Sequence, residues 1–110
     1  MNSRAKGAVG EREWRDQLRN EGFTARRGQQ FAGGPDSPDV ICEELSGLHM
    51  EVKRVQNLNL DKACEQAERD SRGKPWIVAS RKNNKPWKVT MSSETFFKLL
   101  REGIDGFNSK

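Results

Sequence analysis

Residue types that could do chemistry stand close together at Pro38-Asp39 and, twelve residues after Asp39, at Glu51-Val52-Lys53. In an extended strand successive side chains alternate between the two faces, so Glu51 and Lys53 share a face and Val52 points to the other. Two carboxylates on one face repel each other unless a cation joins them, and Mg²⁺ binds one or two carboxylates together with phosphate oxygens and water. Such an ion polarises a phosphoryl group and lowers the pKa of bound water, while Lys53 can orient that water or offset developing charge. The pattern therefore predicts metal-dependent phosphodiester hydrolysis, with Asp39, Glu51 and Lys53 as catalytic residues.

The turn between the two strands decides whether Asp39 reaches the face of Glu51 and Lys53. A three-residue loop, Leu45-Ser46-Gly47, with glycine at the left-handed position is a common hairpin type. That loop would place Asp39 directly opposite Lys53, and directly opposed residues share a face at about 5 Å between their Cβ atoms. A two-residue loop would place Asp39 on the other face, so the predicted convergence depends on this turn.

Two further acidic residues bear on the site. On a helical wheel Glu11 lies about 60° from Trp14 and about 20° from Leu18, inside the apolar stripe of the first helix. A carboxylate on that side costs free energy unless something pairs with it, which indicates that Glu11 points toward the same metal centre; a fringe residue whose tip reaches water is the alternative. Glu13 falls on the solvent side of the wheel. Asp36 competes with Asp39, but Asp39 is preferred because a strand begins immediately after it.

The elements that must position these residues are predicted in the order helix, strand, strand, strand, helix, strand, strand, helix. Their predicted ranges are 5–20, 23–27, 39–43, 48–54, 60–71, 75–79, 87–91 and a last helix that Ser92 or Ser93 caps. Gly22 follows the first helix, and Gly73 and Pro75 follow the second, as helix ends require. The helix residues predicted to face inward are Ala8, Trp14, Leu18, Leu60, Ala63, Cys64, Ala67, Phe96, Phe97, Leu99 and Leu100. This order predicts one α/β domain over residues 1–110, a mixed β-sheet of about five strands flanked by helices.

The charge balance suits a polyanionic partner. Twenty Lys and Arg residues against sixteen Asp and Glu residues give a net charge of +4 and a pI near 9.3, as is common for proteins that bind nucleic acid. Basic residues cluster at Arg26-Arg27, at Lys53-Arg54, and between Arg81 and Lys88. For the last cluster an ordinary solvated surface is a viable alternative interpretation.

Other features restrict where the protein works. No apolar run approaches the roughly 18 residues that a membrane span needs. Met1–Arg12 is polar and charged, so we expect no signal peptide. Cys42 and Cys64 lie far apart without a CxxC partner, which indicates reduced thiols rather than a disulfide or a zinc site. We therefore expect a cytoplasmic, DNA-associated protein.

The assembled residues resemble the archaeal Holliday-junction resolvases, and related phage-type resolvases, of the PD-(D/E)xK nuclease superfamily. The stretches that carry this resemblance are Lys6-Gly7-Ala8 through Glu11-Arg12-Glu13, Gly22-Phe23 followed by Arg27, Pro38-Asp39-Val40 and Glu51-Val52-Lys53. The resemblance implies a restriction-endonuclease-like fold and Mg²⁺ dependence, with Mn²⁺ as a substitute. It also implies a homodimer that places two active sites on opposite strands of a four-way DNA junction.

The resemblance also implies roles for single residues. The acidic metal-site residues would be Glu11, Asp39 and Glu51, and Lys53 would be the catalytic lysine. Arg27 matches a basic residue near the DNA backbone, and Arg12 lies in the matching helix motif. Arg26 and Arg54 flank the proposed site and can bind phosphates without reading bases.

Three other functions remain open from the sequence. The chain could be a structure-selective or nicking endonuclease that cuts flaps or single strands, or a non-catalytic DNA-binding module that kept the fold. The intact set of Asp39, Glu51 and Lys53 argues against the second. Composition alone would also suit an unrelated small basic protein that binds RNA, although no RNA-recognition aromatic motif is present.

Overall fold

The computed structural model describes residues 3–28 and 39–108, and the predicted order of helices and strands is confirmed there. Helix α1 (Ser3–Asn20) comes first, with Trp14 and Leu18 buried as predicted. It ends before Gly22, whose φ of 92° lies in the left-handed region that favours glycine. In these two stretches of chain, none of the helices is long and apolar enough to cross a membrane.

Five strands in the described residues form two sheets, which confirms a mixed α/β fold. The strands are β1 (Ala25–Arg27), β2 (Val40–Cys42), β3 (His49–Arg54), β4 (Trp76–Arg81) and β5 (Lys88–Met91). β1 and β2 pair antiparallel, and β4 lies between β3, its parallel neighbour, and β5, its antiparallel neighbour. Parallel neighbours need a crossover connection, and helix α2 (Leu60–Ser71) supplies it within the predicted bounds.

The predicted hairpin between the second and third strands is wrong. Glu43–Leu45 form a 3-10 turn, and β2 pairs with β1 rather than with β3. The carboxylate of Glu44 explains this path, because it accepts hydrogen bonds from the backbone N–H of Thr24 at 2.8 Å and from its hydroxyl at 2.9 Å. These bonds hold the turn against the start of β1 and lower the pKa of Glu44 to about 2.

Helices cover both faces of the three-stranded sheet. Trp14 and Leu18 of α1 belong to one buried cluster with Met50, Val52, Ile77 and Ala79, whereas Ala63 and Ala67 of α2 pack with Val78 on the other face. Gly10 lets α1 come unusually close to β3, because a Cβ at Gly10 would lie 2.6 Å from the Cβ of Arg54. This approach fixes α1, and with it Glu11, at short range from the sheet.

The predicted inward face of the last helix is wrong. Helix α3 (Ser93–Glu102) begins as expected, since the Ser92 hydroxyl caps it by accepting from the Thr95 N–H at 3.1 Å. Its apolar residues are nevertheless exposed: Phe96 by 45%, Phe97 by 52%, Leu99 by 38% and Leu100 by 65%. The helix packs instead against the 3-10 turn Ile104–Phe107, in which Phe107 is buried. Leu60, predicted inward at the start of α2, is also exposed, by 42%. An amphipathic pattern shows that a helix has an apolar face, but it does not show what covers that face.

Candidate active site

Asp39 lies where β2 meets β3. Its backbone N–H donates to the carbonyl of Met50 at 3.2 Å, and its Oδ2 accepts from the N–H of Val52 at 2.8 Å. These contacts involve the residues just before and just after Glu51, so the carboxyls of Asp39 and Glu51 come together as expected. Asp39 therefore lies beside Glu51, and not opposite Lys53 as the predicted hairpin would have placed it. The alternative residue, Asp36, lies outside the described residues.

Glu51 lies inside the protein beside a histidine. Its side chain is 3% exposed and that of His49 is 4% exposed, with 2.7 Å between Glu51 Oε1 and His49 Nε2. An ionised carboxylate only accepts hydrogen bonds, so in the tautomer that carries its proton on Nε2 the imidazole of His49 donates to Glu51. The two residues share a strand face because they are two positions apart. His49 therefore stabilises a carboxylate whose burial would otherwise be costly.

The carboxyls of Asp39 and Glu51 lie close enough to repel each other when both are ionised. Burial raises the pKa of Asp39 from 3.8 to about 7, and the nearby negative charge of Glu51 adds to the rise. The charge of Glu11 and a side-chain hydrogen bond with Glu51 act in the same direction, whereas the hydrogen bond from Val52 opposes it. Two like charges this close cannot both be fully ionised without a counter-charge. Without a cation, Asp39 is therefore only partly ionised near neutral pH.

Glu11 is buried on α1, as the helical wheel predicts. Arg27 donates to its Oε1 twice, from Nε at 3.1 Å and from Nη2 at 3.0 Å. Since Glu11 still raises the pKa of Asp39, it lies within electrostatic range of the pair of Asp39 and Glu51. The structure thus brings Asp39 and Glu51 into contact, with Glu11 nearby and bound to an arginine.

Lys53 follows Glu51 by two positions on β3 and is half-buried. Its Nζ donates to Oε1 of Gln66, on α2, at 2.8 Å. The amide is neutral, so it orients the ammonium without cancelling its charge. The ammonium lies on the strand face that also carries Glu51.

Asp39 and Glu51 supply the donor set for a metal. Nowhere in residues 3–28 and 39–108 do three His, Cys, Asp or Glu side chains form a ready-made metal-binding group. Mg²⁺ needs only one or two carboxylates, because water and substrate phosphates complete its shell. Burial and the charge of Glu51 raise the pKa of Asp39, and a bound cation would oppose both effects. The oxygen donors of Asp39 and Glu51 therefore fit a hard divalent cation.

The arginines predicted to bind DNA fall into two groups. Arg12 and Arg26 are exposed. Arg27 is bound to a carboxylate of α1, as described above, and Nε of Arg54 donates to Oε1 of Glu13 at 3.1 Å. Arg12 and Arg26 can meet a phosphate directly, whereas Arg27 and Arg54 would have to exchange an acidic partner for it.

Sequence reasoning missed three polar partners at or near the site. A lone strand histidine is more often a surface or packing residue than part of a site, but the two-residue spacing of His49 to Glu51 was a usable signal. Gln66 has no local signal, because its contact depends on how α2 lies on the sheet. Glu13, expected in solvent, is half-buried and accepts from Arg54 at 3.1 Å and from Arg81 at 3.0 Å.

Comparison with known proteins identifies the family of the chain. A solved structure of Archaeoglobus fulgidus Hjc, a Holliday junction resolvase from an archaeal hyperthermophile, matches with a TM-score of 0.55 and 27% sequence identity, over 78% of this chain and 72% of that chain. No curated protein matches the sequence. The family described as archaeal Holliday junction resolvase (hjc) matches residues 2–102. The chain therefore belongs to the archaeal Holliday junction resolvase family, within the PD-(D/E)xK nuclease superfamily.

Proposed function

We propose that this protein resolves four-way DNA junctions by hydrolysing phosphodiester bonds at Asp39, Glu51 and Lys53. As a member of its family it is a metal-dependent, junction-cleaving endonuclease, and we propose Mg²⁺ as its ion, with Mn²⁺ able to substitute. The observation that carries the site assignment is the contact of two carboxyls, with the pKa of Asp39 raised to about 7. Because its substrate is DNA, we expect it to act inside the cell.

Each residue of the proposed site has a separate task. A divalent ion, when bound, activates the phosphate and supplies a nucleophilic water at neutral pH. Asp39 and Glu51 would hold that ion, and the hydrogen bond from His49 fixes the carboxylate of Glu51. Lys53, oriented by Gln66, would position the attacking water or stabilise the charge that develops on the phosphate.

Arg27 links the proposed site to DNA binding. Both of its hydrogen bonds go to one oxygen of Glu11, yet a DNA phosphate offers an arginine equally good acceptors. We propose that DNA draws Arg27 toward its backbone and that Glu11 then completes the acidic site. Arg12, Arg26 and Arg54 would contact neighbouring phosphates.

The exposed face of α3 supports a homodimer. Phe96, Phe97, Leu99 and Leu100 lie together on this helix, and exposed apolar clusters of this kind usually mark an interface. A second copy of the chain is the partner that the function requires, because a two-fold dimer carries two active sites that match the two-fold symmetry of a junction.

Cleavage of a synthetic four-way junction tests the proposal. With Mg²⁺ we expect paired incisions in strands of like polarity, little dependence on sequence, and much weaker activity on linear duplex. Glu51→Gln should abolish cutting and weaken metal binding in calorimetry, whereas Glu21→Gln, an exposed glutamate, should change neither. Single cuts in flaps or single strands by a monomer would instead show the structure-selective nuclease named among the alternatives.

A further inference from the structure

A basic groove opens beyond the ends of β3 and β4. Its volume is about 390 Å³, and its lining includes Arg81, Lys82, Lys85 and Lys88. None of the lining residues is acidic, and Leu58 and Leu60 contribute an apolar part of its wall. Four cations around a partly apolar wall suit a ligand with repeated negative charge and a less polar framework between the charges.

The three lysines of this basic groove keep their charge available. All three are exposed, and in the part of the chain that the structure describes no carboxylate pairs with Lys82, Lys85 or Lys88. Arg81 is different, because it shares the carboxylate of Glu13 with Arg54. The groove therefore carries at least three uncompensated positive charges.

Hydrogen bonds hold the turn that carries Lys82 and Lys85, and Lys88 follows at the start of β5. Nε of Arg81 donates to the carbonyl of Lys85 at 2.8 Å, and the Lys85 N–H donates to the carbonyl of Lys82 at 3.2 Å. The side chain of Gln56 accepts from the N–H of Asn83 at 2.9 Å, and Oδ1 of Asn83 accepts from Arg54 at 2.7 Å. A turn fixed in this way presents its charges in a preorganised array, which lowers the entropy lost on binding.

The basic groove begins next to the candidate active site. In the sheet register Lys53 is the partner of Ser80, and Ser80 is the partner of Lys88. Partners in register share a sheet face, so this row runs from the candidate catalytic lysine into the groove. Two strand spacings of about 4.8 Å each put the backbones of Lys53 and Lys88 roughly 10 Å apart.

We propose that the basic groove binds the sugar–phosphate backbone of the DNA strand that continues from the cleaved phosphodiester. The lysines would contact its phosphates, and the apolar wall would lie against its sugars. The placement of this strand rests on the proposed function; the charge of the groove does not. Contacts of this kind position DNA without reading its sequence.

The salt dependence of DNA binding tests the groove directly. Each phosphate contact contributes about 0.9 to the slope of log affinity against log salt for duplex DNA. The combined change Lys82→Gln, Lys85→Gln and Lys88→Gln should weaken binding to both a junction and a linear duplex and lower the slope by about two to three. Binding is measured without divalent metal, so that no cleavage occurs.

Two matched variants control for charge and for folding. Arg69, Lys74 and Arg101 are exposed cations outside the groove, and changing these three to Gln should leave the slope near that of the wild type. Changing the three groove lysines to Arg should also preserve it. An unchanged slope in the groove variant, or an equal fall in the control, would overturn the inference. Equal affinity of the wild type for junction and duplex would contradict junction selectivity alone, because the slope comparison still applies to either DNA.

Discussion

Replacing Asp39 by Asn should stabilise the metal-free protein while it damages the metal site. In the folded chain burial and the charge of Glu51 raise the pKa of Asp39 from 3.8 to about 7. Because this folded pKa lies above the unfolded one, the native state holds the proton more tightly. The associated stability is fully present below about pH 4 and is lost as the pH rises through about 7. The amide that replaces the carboxyl carries no charge at any pH, so Asp39→Asn should abolish this loss.

The size of the effect follows from the same pKa. At about 1.4 kcal/mol per pH unit, a rise from 3.8 to about 7 sets an upper limit of about 4 kcal/mol. Asp39 is half-buried and its hydrogen bond from Val52 weakens when the acceptor is neutral, so we expect about 1–3 kcal/mol. For a domain of this size that corresponds to a higher melting temperature by roughly 4 °C or more.

Thermal unfolding in EDTA at about pH 5 and about pH 8, at one fixed protein concentration, measures the difference. The advantage of Asp39→Asn should be clearly larger at the higher pH than at the lower one. Asp105→Asn removes an exposed carboxylate and should show no such pH dependence. Adding Mg²⁺ should stabilise the wild type and not Asp39→Asn, because a ligand that binds only the native state stabilises it. An Asp39→Asn protein less stable than the wild type at the higher pH in EDTA would refute the reasoning.

Three further predictions concern the site and the assembly. Lys53→Ala should lower the rate of junction cleavage roughly a hundredfold or more while calorimetry shows unchanged metal binding. A near-normal rate of cleavage would show that Lys53 has no catalytic role. Glu11→Gln should lose cleavage, whereas Glu13→Gln should keep cleavage and lower only the melting temperature. The reason is that Glu13 pairs with Arg54 and Arg81 and not with the carboxyl pair. The reverse ranking would show that Glu11 is not part of the site. Changing Phe97 and Leu100 together to Ser should convert a dimer to a monomer in sedimentation experiments. If the variant still forms a dimer, α3 is not part of the dimer interface.

Local patterns in the sequence predicted those parts of the fold that local interactions determine. The bounds of α2 follow from its periodicity and from the glycine and proline after it, and they match the structure. The burial of Glu11 follows from its place on the apolar stripe of α1. The pairing of β2 could not be predicted in this way, because it depends on hydrogen bonds between Thr24 and Glu44, twenty residues apart.

The candidate site was predicted as a set of residue types but not as a set of contacts. The sequence placed Glu51 and Lys53 on one strand face, since strand geometry requires it. It could not show that Gln66 binds Lys53, because that contact depends on how α2 crosses the sheet. The exposure of the apolar face of α3 could not be predicted from the sequence either, since an apolar stripe fits an inner face and an outer interface equally well.

The two glycines of α1 differ in how well the enzyme would tolerate a stabilising substitution. Replacing a helical glycine with alanine usually raises the free energy of unfolding by up to about 1 kcal/mol. Gly7 suits this change because none of the described atoms lies within 4 Å of an added Cβ. At Gly10 the same replacement would place a methyl group 2.6 Å from the Cβ of Arg54 and 3.5 Å from Cγ1 of Val52. The helix would have to move off β3, and Glu11 would move with it. A consensus rule that treats both glycines as helix defects would improve the scaffold at one and misalign the nuclease at the other.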